Sequence, residues 1–228
     1  MPTTFLKQLL QEEERSDFAS LRSAYLAKQQ GLRNVFLQQM NTFIVEALAW
    51  DVQRQRKFTD GLLTACEREE GVQDLLIHPL KERLLKPVLK QWMNDLSEDV
   101  RPYRWFGVFF FGEDNSLEYL QTAIDRGGRQ EQLAIETMIR HLLNWLWYAF
   151  HHLNENLYLS ETEDDAETLQ ETRLLMDQLD DSVQKAEFME EWQEHARTYE
   201  LWLRFLEEET EGFIEWRNQQ EKQGENKQ

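Results

Sequence analysis

The chain has 228 residues, 41% hydrophobic and 12% aromatic, enough apolar side chain to fill a large core. Its 25 Lys+Arg against 43 Asp+Glu give a formal net charge of -18, which repels nucleic-acid backbones and anionic lipid surfaces. The single cysteine, Cys66, excludes an internal disulfide and zinc sites built on four cysteines or on two cysteines and two histidines.

The charge is lopsided. Residues 1–112 carry 15 Lys+Arg and 15 Asp+Glu, whereas residues 113–228 carry 10 Lys+Arg and 28 Asp+Glu. The second half therefore holds the whole excess, and its surface should attract cations. Only 9 Gly and 4 Pro punctuate the chain, too few for the frequent turns of an all-β protein. The expected fold is all-α, a multi-helix bundle or short α-solenoid. The expected organisation is a neutral half over residues 1–98, an acidic half over residues 101–217 packed with it, and a frayed tail over residues 218–228.

The first helical stretch runs from about Phe5 to Lys28, with Leu6, Leu9, Leu10, Phe18, Leu21 and Tyr25 on its apolar side, and Gly31 breaks it. A second is expected from about Leu32 to Phe58, on the spacing of Leu32, Val35, Phe36, Met40, Phe43, Ile44, Ala47 and Leu48. Arg54, Arg56 and Lys57 would then sit in its last turn, at the negative end of the helix dipole. A short helix from Asp60 to Glu69 follows, and its Cys66 reads as a small buried apolar residue rather than a reactive thiol. Leu80, Leu84, Val88, Trp92 and Leu96 mark a helix starting near Pro79, which Pro87 should kink or split. Its basic segment, Lys81 to Lys90, carries four bases against one acid.

Residues 101–112 pack six aromatics between Pro102 and Gly112; Val108–Phe111 reads equally as one short strand or as buried helix. Asn115 to Glu118 looks like a capping box opening a helix that ends at Gly127-Gly128. The helix from about Gln130 to Asn154 is apolar on nearly every side, the pattern of a central buried helix. A second capping box, Ser160 to Glu163, opens a helix with Leu169, Met176, Leu179 and Val183 inward. The last helix, about Ala186 to Arg217, carries Phe188, Trp192, His195, Tyr199, Trp202 and Leu206 at heptad-like steps. That seam can pack inside the chain or against a second copy, so a homo-oligomer is compatible with it.

Leu120, Ala123, Ile124 and Ala134, on two helices joined at Gly127-Gly128, resemble a tetratricopeptide-type helical hairpin over about one repeat. The Trp-x-x-Leu-Gly opening and closing Pro of that family are not in place, and no 34-residue period recurs. The stretch from Arg104-Trp105-Phe106-Gly107 through His151-His152 to Tyr158-Leu159 is similar to a pattern in uncharacterised bacterial proteins, a resemblance that implies no activity.

No nucleophile elbow, phosphate loop, dinucleotide fingerprint, kinase set or EF-hand spacing is present. His151, His152 and Glu155 could share a helical face with His141 about three turns earlier, which leaves a metal or catalytic role open. The motifs HExxH and Glu-x-x-His are absent. Asn144 and Tyr148, one turn apart in the apolar helix, join Trp105, His151 and His152 as candidate walls of a polar pocket.

Between Glu155 and Glu215 stand 20 Asp+Glu against 4 Lys+Arg. A solvated face accounts for such a field, and so does a docking surface for a cationic partner. The reading carried forward is a non-enzymatic binding protein that captures a basic protein, in bacteria an immunity or antitoxin-type inhibitor of a cationic toxin. Its expected partner-binding carboxylates are Glu163, Asp164, Asp165, Glu167, Glu190, Glu191 and Glu194. The alternatives are a tetratricopeptide-like scaffold with a peptide groove lined by Trp105, Trp147 or Trp202, and an enzyme or metal protein using the histidines. No cofactor, bound metal or nucleic acid is expected. The start of the chain lacks the apolar run of a signal peptide, and no stretch reaches the ~20 residues of a membrane span, so a cytoplasmic location is expected.

Overall fold

A computed structural model of the chain describes Phe5 and residues 16–112, 115–208 and 212–225. Leu6, Leu9, Leu10, Glu209 and Glu211 lie outside the described residues. The fold is all-α. Its helices are α1 (Ala19–Gln29), α2 (Arg33–Leu48), α3 (Val52–Arg68), α4 (Lys86–Asp95), α5 (Arg101–Phe109), α6 (Ser116–Gly127), α7 (Gln132–Phe150), α8 (Thr162–Met176), α9 (Ser182–Glu207) and α10 (Phe213–Glu225). They fall into two compact units, Met1–Tyr119 and Leu120–Gln228, which divide within α6.

In the first unit, α1 and α2 pair most extensively, joined at Gly31 with φ +71°, a left-handed conformation that glycine adopts without Cβ cost. Phe36, Met40, Phe43, Ile44 and Ala47 form the buried stripe of α2, while Leu32, Val35 and Leu48 face outward. The expected helix over 32–58 is two helices. The Asp51 carboxylate accepts the Arg54 backbone N–H (2.9 Å) and caps a new helix, α3, which runs on through the stretch expected as a separate short helix. Arg54 and Arg56 therefore lie near an N-terminus, the unfavourable end of the dipole. They are offset by carboxylates: Arg54 pairs with Asp17, and buried Arg56 pairs with Asp95.

Pro87 splits its helix as expected. A helical turn at His78–Leu80 leads into a π-helical turn, Lys81–Leu85, before α4 begins. The widened turn accommodates a proline that cannot donate to the preceding carbonyls. The basic segment is engaged locally. Lys86 pairs with Glu82 (3.2 Å), Arg83 donates to the Asn41 amide oxygen, and Lys81 and Lys90 lie over the rings of Phe110 and Phe106.

Residues 101–109 are helical, which corrects the strand option for 108–111. The α-helical backbone buries Trp105 and Phe106 completely, Phe110 is buried in the turn that follows, and Trp105 lies edge-on to Trp92 at 5.8 Å. No described residue is in a strand. Trp105 donates its indole N–H to Glu67, which also accepts from Arg104 Nε at 2.7 Å. Burial beside Glu67 and Glu69 pushes the Cys66 thiol up to about 12, so it is a protonated core residue.

In the second unit α7, α8 and α9 pack against one another as a three-helix bundle. The buried positions of α7 are Ala134, Ile135, Met138, Ile139, Leu143, Leu146, Ala149 and Phe150, at i, i+3 and i+4 spacing. The expectation of a helix buried all round is corrected. Trp145 is 45% exposed, Trp147 56% and Tyr148 51%, because two neighbouring helices cover only one side of a cylinder. The expected last helix is broken at Gly212, φ +85°, into α9 and α10, and the backbone stays helical to Glu225. The break folds α10 back on α9 and on the turn at Leu153–Glu155. A cluster of Tyr158, Trp202, Phe205, Phe213 and Trp216 fills that end. No helix among the described residues is long and apolar enough to cross a membrane.

Candidate functional site

The α8–α9 hairpin fixes where the acidic side chains point. Asp181 caps α9 by accepting the N–H groups of Val183 (2.8 Å) and Gln184 (3.1 Å). Two side chains of α9 then lock it on α8: the Trp192 indole N–H donates to Leu169 O, and the Tyr199 hydroxyl donates to Thr162 O, each at 2.9 Å. Phe188, His195 and Trp202 go inward. At 100° per residue, Glu187, Glu190, Glu191 and Glu194 share one side of α9, with Glu191 at the rim of that core and Glu190 farthest from it, and all four are exposed. On α8, Leu169, Thr172 and Met176 are buried, which leaves Glu163, Asp164 and Glu167 exposed.

The few cations of this hairpin are already engaged, since Arg173 and Lys185 both pair with Asp177 at 3.0 Å. Among the described residues no cation pairs with Glu163, Asp164, Glu167, Glu187, Glu190 or Glu194. Glu191 stands 3.9 Å from His195.

Asp165 is a correction. It is fully buried and accepts from the hydroxyls of Tyr158 and Ser160 (2.9 Å), so it is a structural anchor and offers no surface to a partner. Ser160 is thereby drawn inward and does not cap α8; the cap position is Glu161, without a side-chain bond. Burial, and then the neighbouring Asp164 charge, raises the Asp165 carboxyl, while the hydrogen bonds pull it down. Burial and the same carboxylate push the Tyr158 hydroxyl up.

Beside the acidic face lies a cavity of about 240 Å³, walled by Trp147, Phe150, His151, Leu153, Asn154, Glu194, His195, Thr198, Phe213, Ile214 and Arg217. A second hollow of about 420 Å³, which includes Gln193, Arg197 and Leu201, shares Glu194, Thr198 and Arg217 with it. His195 is 8% exposed, and its Nε2 is buried without a hydrogen-bond partner. Burial lowers its pKa below 6.5, against the opposing pull of Glu191 and Glu194, so the ring is neutral at pH 7. His151 stacks on Trp147 at 4.5 Å, and its Nδ1 stands 2.7 Å from Tyr148 O, so that nitrogen carries the proton.

The expected pocket of Trp105, Asn144, Tyr148, His151 and His152 is not assembled. Only His151 lines the cavity. Asn144 and Tyr148 are exposed on α7, since the helix keeps a water-facing side, and Asn144 therefore needs no buried partner. His152 turns to Glu155, Nδ1 to Oε1 at 3.0 Å, and Trp105 is sealed in the core of the first unit. The face expected for His151, His152 and Glu155 differs for a related reason. α7 ends at Phe150 and a 3-10 turn covers Leu153–Glu155, so the helical face shared by His151, His152 and Glu155 does not exist. Among the described residues no three of His, Cys, Asp and Glu are grouped to hold an ion. Burial lowers the pKa of His141. Sequence reasoning took His195 for part of the apolar seam and missed Asn154, Thr198 and Arg217. The one available signal was a histidine at a seam position otherwise held by aromatics and leucine.

No family model, curated protein or solved structure matches this chain. The site must therefore be read from its own chemistry. Its polar groups are carboxylates outside, and a carboxylate, a hydroxyl, an amide and a neutral imidazole beside the Arg217 guanidinium in the cavity. Among the described residues, no hydrogen bond joins His151 or His152 to a hydroxyl or thiol: His151 Nδ1 meets Tyr148 O and His152 Nδ1 meets Glu155.

Proposed function

We propose that the second unit captures a basic protein through the exposed acidic side of its α8–α9 hairpin, as an immunity or antitoxin-type inhibitor does. The observation that carries this reading is that Glu163, Asp164, Glu167, Glu190 and Glu194 stand exposed without a cationic partner among the described residues. Uncompensated carboxylates on a rigid hairpin repel one another, and a basic partner relieves that repulsion as it docks. Opposite charge also speeds encounter, and an occluding acidic face blocks a cationic toxin's own substrate site.

The test starts with affinity capture from the host at low and high salt, followed by titration of the captured protein. Joint reversal of Glu163, Glu167 and Glu190 to Lys should weaken capture at least tenfold, about 1.4 kcal/mol. Binding should fall steeply with salt. Unchanged affinity in the triple variant would overturn the reading.

One observation favours the scaffold alternative. In the first unit Leu37, Met40, Ile77 and Pro79 line an apolar hollow of about 490 Å³. A captured partner that survives high salt would direct attention there.

A further inference from the structure

We infer that the cavity between α7, α9 and α10 is an anchor pocket for an arginine side chain of the basic partner, its guanidinium held between the Trp147 ring and the Glu194 carboxylate. This inference rests on the capture reading above and names the contact that would give it specificity.

Three polar side chains of the cavity wall make no hydrogen bond among the described residues: Asn154, Glu194 and Thr198. Their carboxylate, hydroxyl and amide oxygen are free to accept from a bound donor, which a buried site without one leaves unsatisfied. A guanidinium is planar, carries only donors, and stacks on aromatic faces. The cavity matches each property. Its acceptors are the Glu194 carboxylate, the Thr198 hydroxyl and the Asn154 amide oxygen. Its stacking wall is Trp147, held flat against His151 at an interplanar angle of 15° and still 56% exposed. The volume of about 240 Å³ admits one long side chain and no folded element. Glu194 belongs to both the cavity and the acidic face, so charge that steers the partner also leads to the pocket. The lining residue that opposes a cation is Arg217, and it gives the test its sign.

The probe is N-acetyl-arginine methylamide, titrated into the full chain while the His195 ring and Trp147 indole resonances are followed by NMR. The uncharged isostere N-acetyl-citrulline methylamide is the control. Saturable shifts of both resonances are expected, with at least tenfold weaker binding for the citrulline compound and for the Glu194→Gln variant. Arg217→Gln should tighten binding about threefold, by removing the like charge. The anchor is overturned if neither resonance shifts, if citrulline binds equally, or if Arg217→Gln weakens binding, since the last result marks an anion site. A nona-arginine peptide separates the two readings. If it binds the chain in a salt-sensitive way and is indifferent to Glu194→Gln, the anchor fails and the acidic capture face stands. If nona-arginine does not bind at all, both fail.

Discussion

The two units solve the same electrostatic problem in opposite ways. The first unit closes its charges on itself: Arg56 on Asp95, Arg101 on Asp60 and Asp99, Arg104 on Glu67, Lys28 on Asp74. Several of its cations also cover aromatic rings, as Arg54 covers Trp50 at 4.4 Å. In the second unit only a handful of cations face an acidic excess, and most carboxylates of α8 and α9 end in water. The aromatics follow suit. Trp105 is sealed and hydrogen-bonded in the first unit, and Trp147 lies open in the second. The lesson is that a helix places a charge or a ring on a side of the chain, while the presence of a complementary neighbour decides whether it stabilises the fold or stays available to a partner.

The sharpest way to break this contrast is to delete the same side chain in each unit. Trp105→Ala should cost about 4 kcal/mol, the range of a fully buried large aromatic, whereas Trp147→Ala should cost less than about 0.5 kcal/mol. Denaturant midpoints, with amide exchange assigning the loss to α4 and α5, would show it. Equal costs would mean that Trp147 is a core residue and that the contrast is false.

A smaller effect is expected from carboxylates. Glu67→Ala removes the acceptor of the buried Trp105 indole N–H and one acceptor of Arg104, at about 3 kcal/mol. Glu190→Ala removes a solvated charge and should stay within about 0.5 kcal/mol. A large loss from Glu190→Ala would show that the acidic face is structural.

The smallest expected effect is pH-dependent and belongs to the second unit alone. Burial holds His195 below 6.5, so the folded state favours the neutral ring. Its contribution is complete above pH 6.5 and is lost as pH falls from there through the lowered value. Asp165 has the opposite sign: its carboxyl is raised above 3.8, so its contribution is complete below that value and fades as pH rises through the raised one. His195→Gln should therefore flatten the decline of the midpoint between pH 7 and 5 without touching the Asp165 limb. An unchanged slope in that variant would show that other groups carry it.

Much of the architecture was legible in the sequence because helices are local. Apolar spacing placed α2, α4, α7 and α9, sparse glycine excluded a β fold, and Gly31 and Pro87 marked breaks for covalent reasons. The break at 49–51 was missed because Asp51 caps α3 without any glycine or proline beside it. The site was less legible. Six of the seven expected carboxylates are exposed as read, because hydrophilic positions opposite an apolar stripe face water wherever the helix packs. Asp165 departed from the pattern because Tyr158 and Ser160, from the preceding loop, made burial affordable.

The sequence alone determined the all-α class, the neutral and acidic halves, and the absence of any known catalytic motif, since these depend on composition and on spacing within single helices. Tertiary structure alone decided which tryptophans are sealed and which are open. It also turned His195 from a seam residue into a cavity wall and joined Trp147, Glu194 and Arg217 in one pocket. Those facts depend on which helices become neighbours, and spacing within one helix carries no information about a partner fifty residues away.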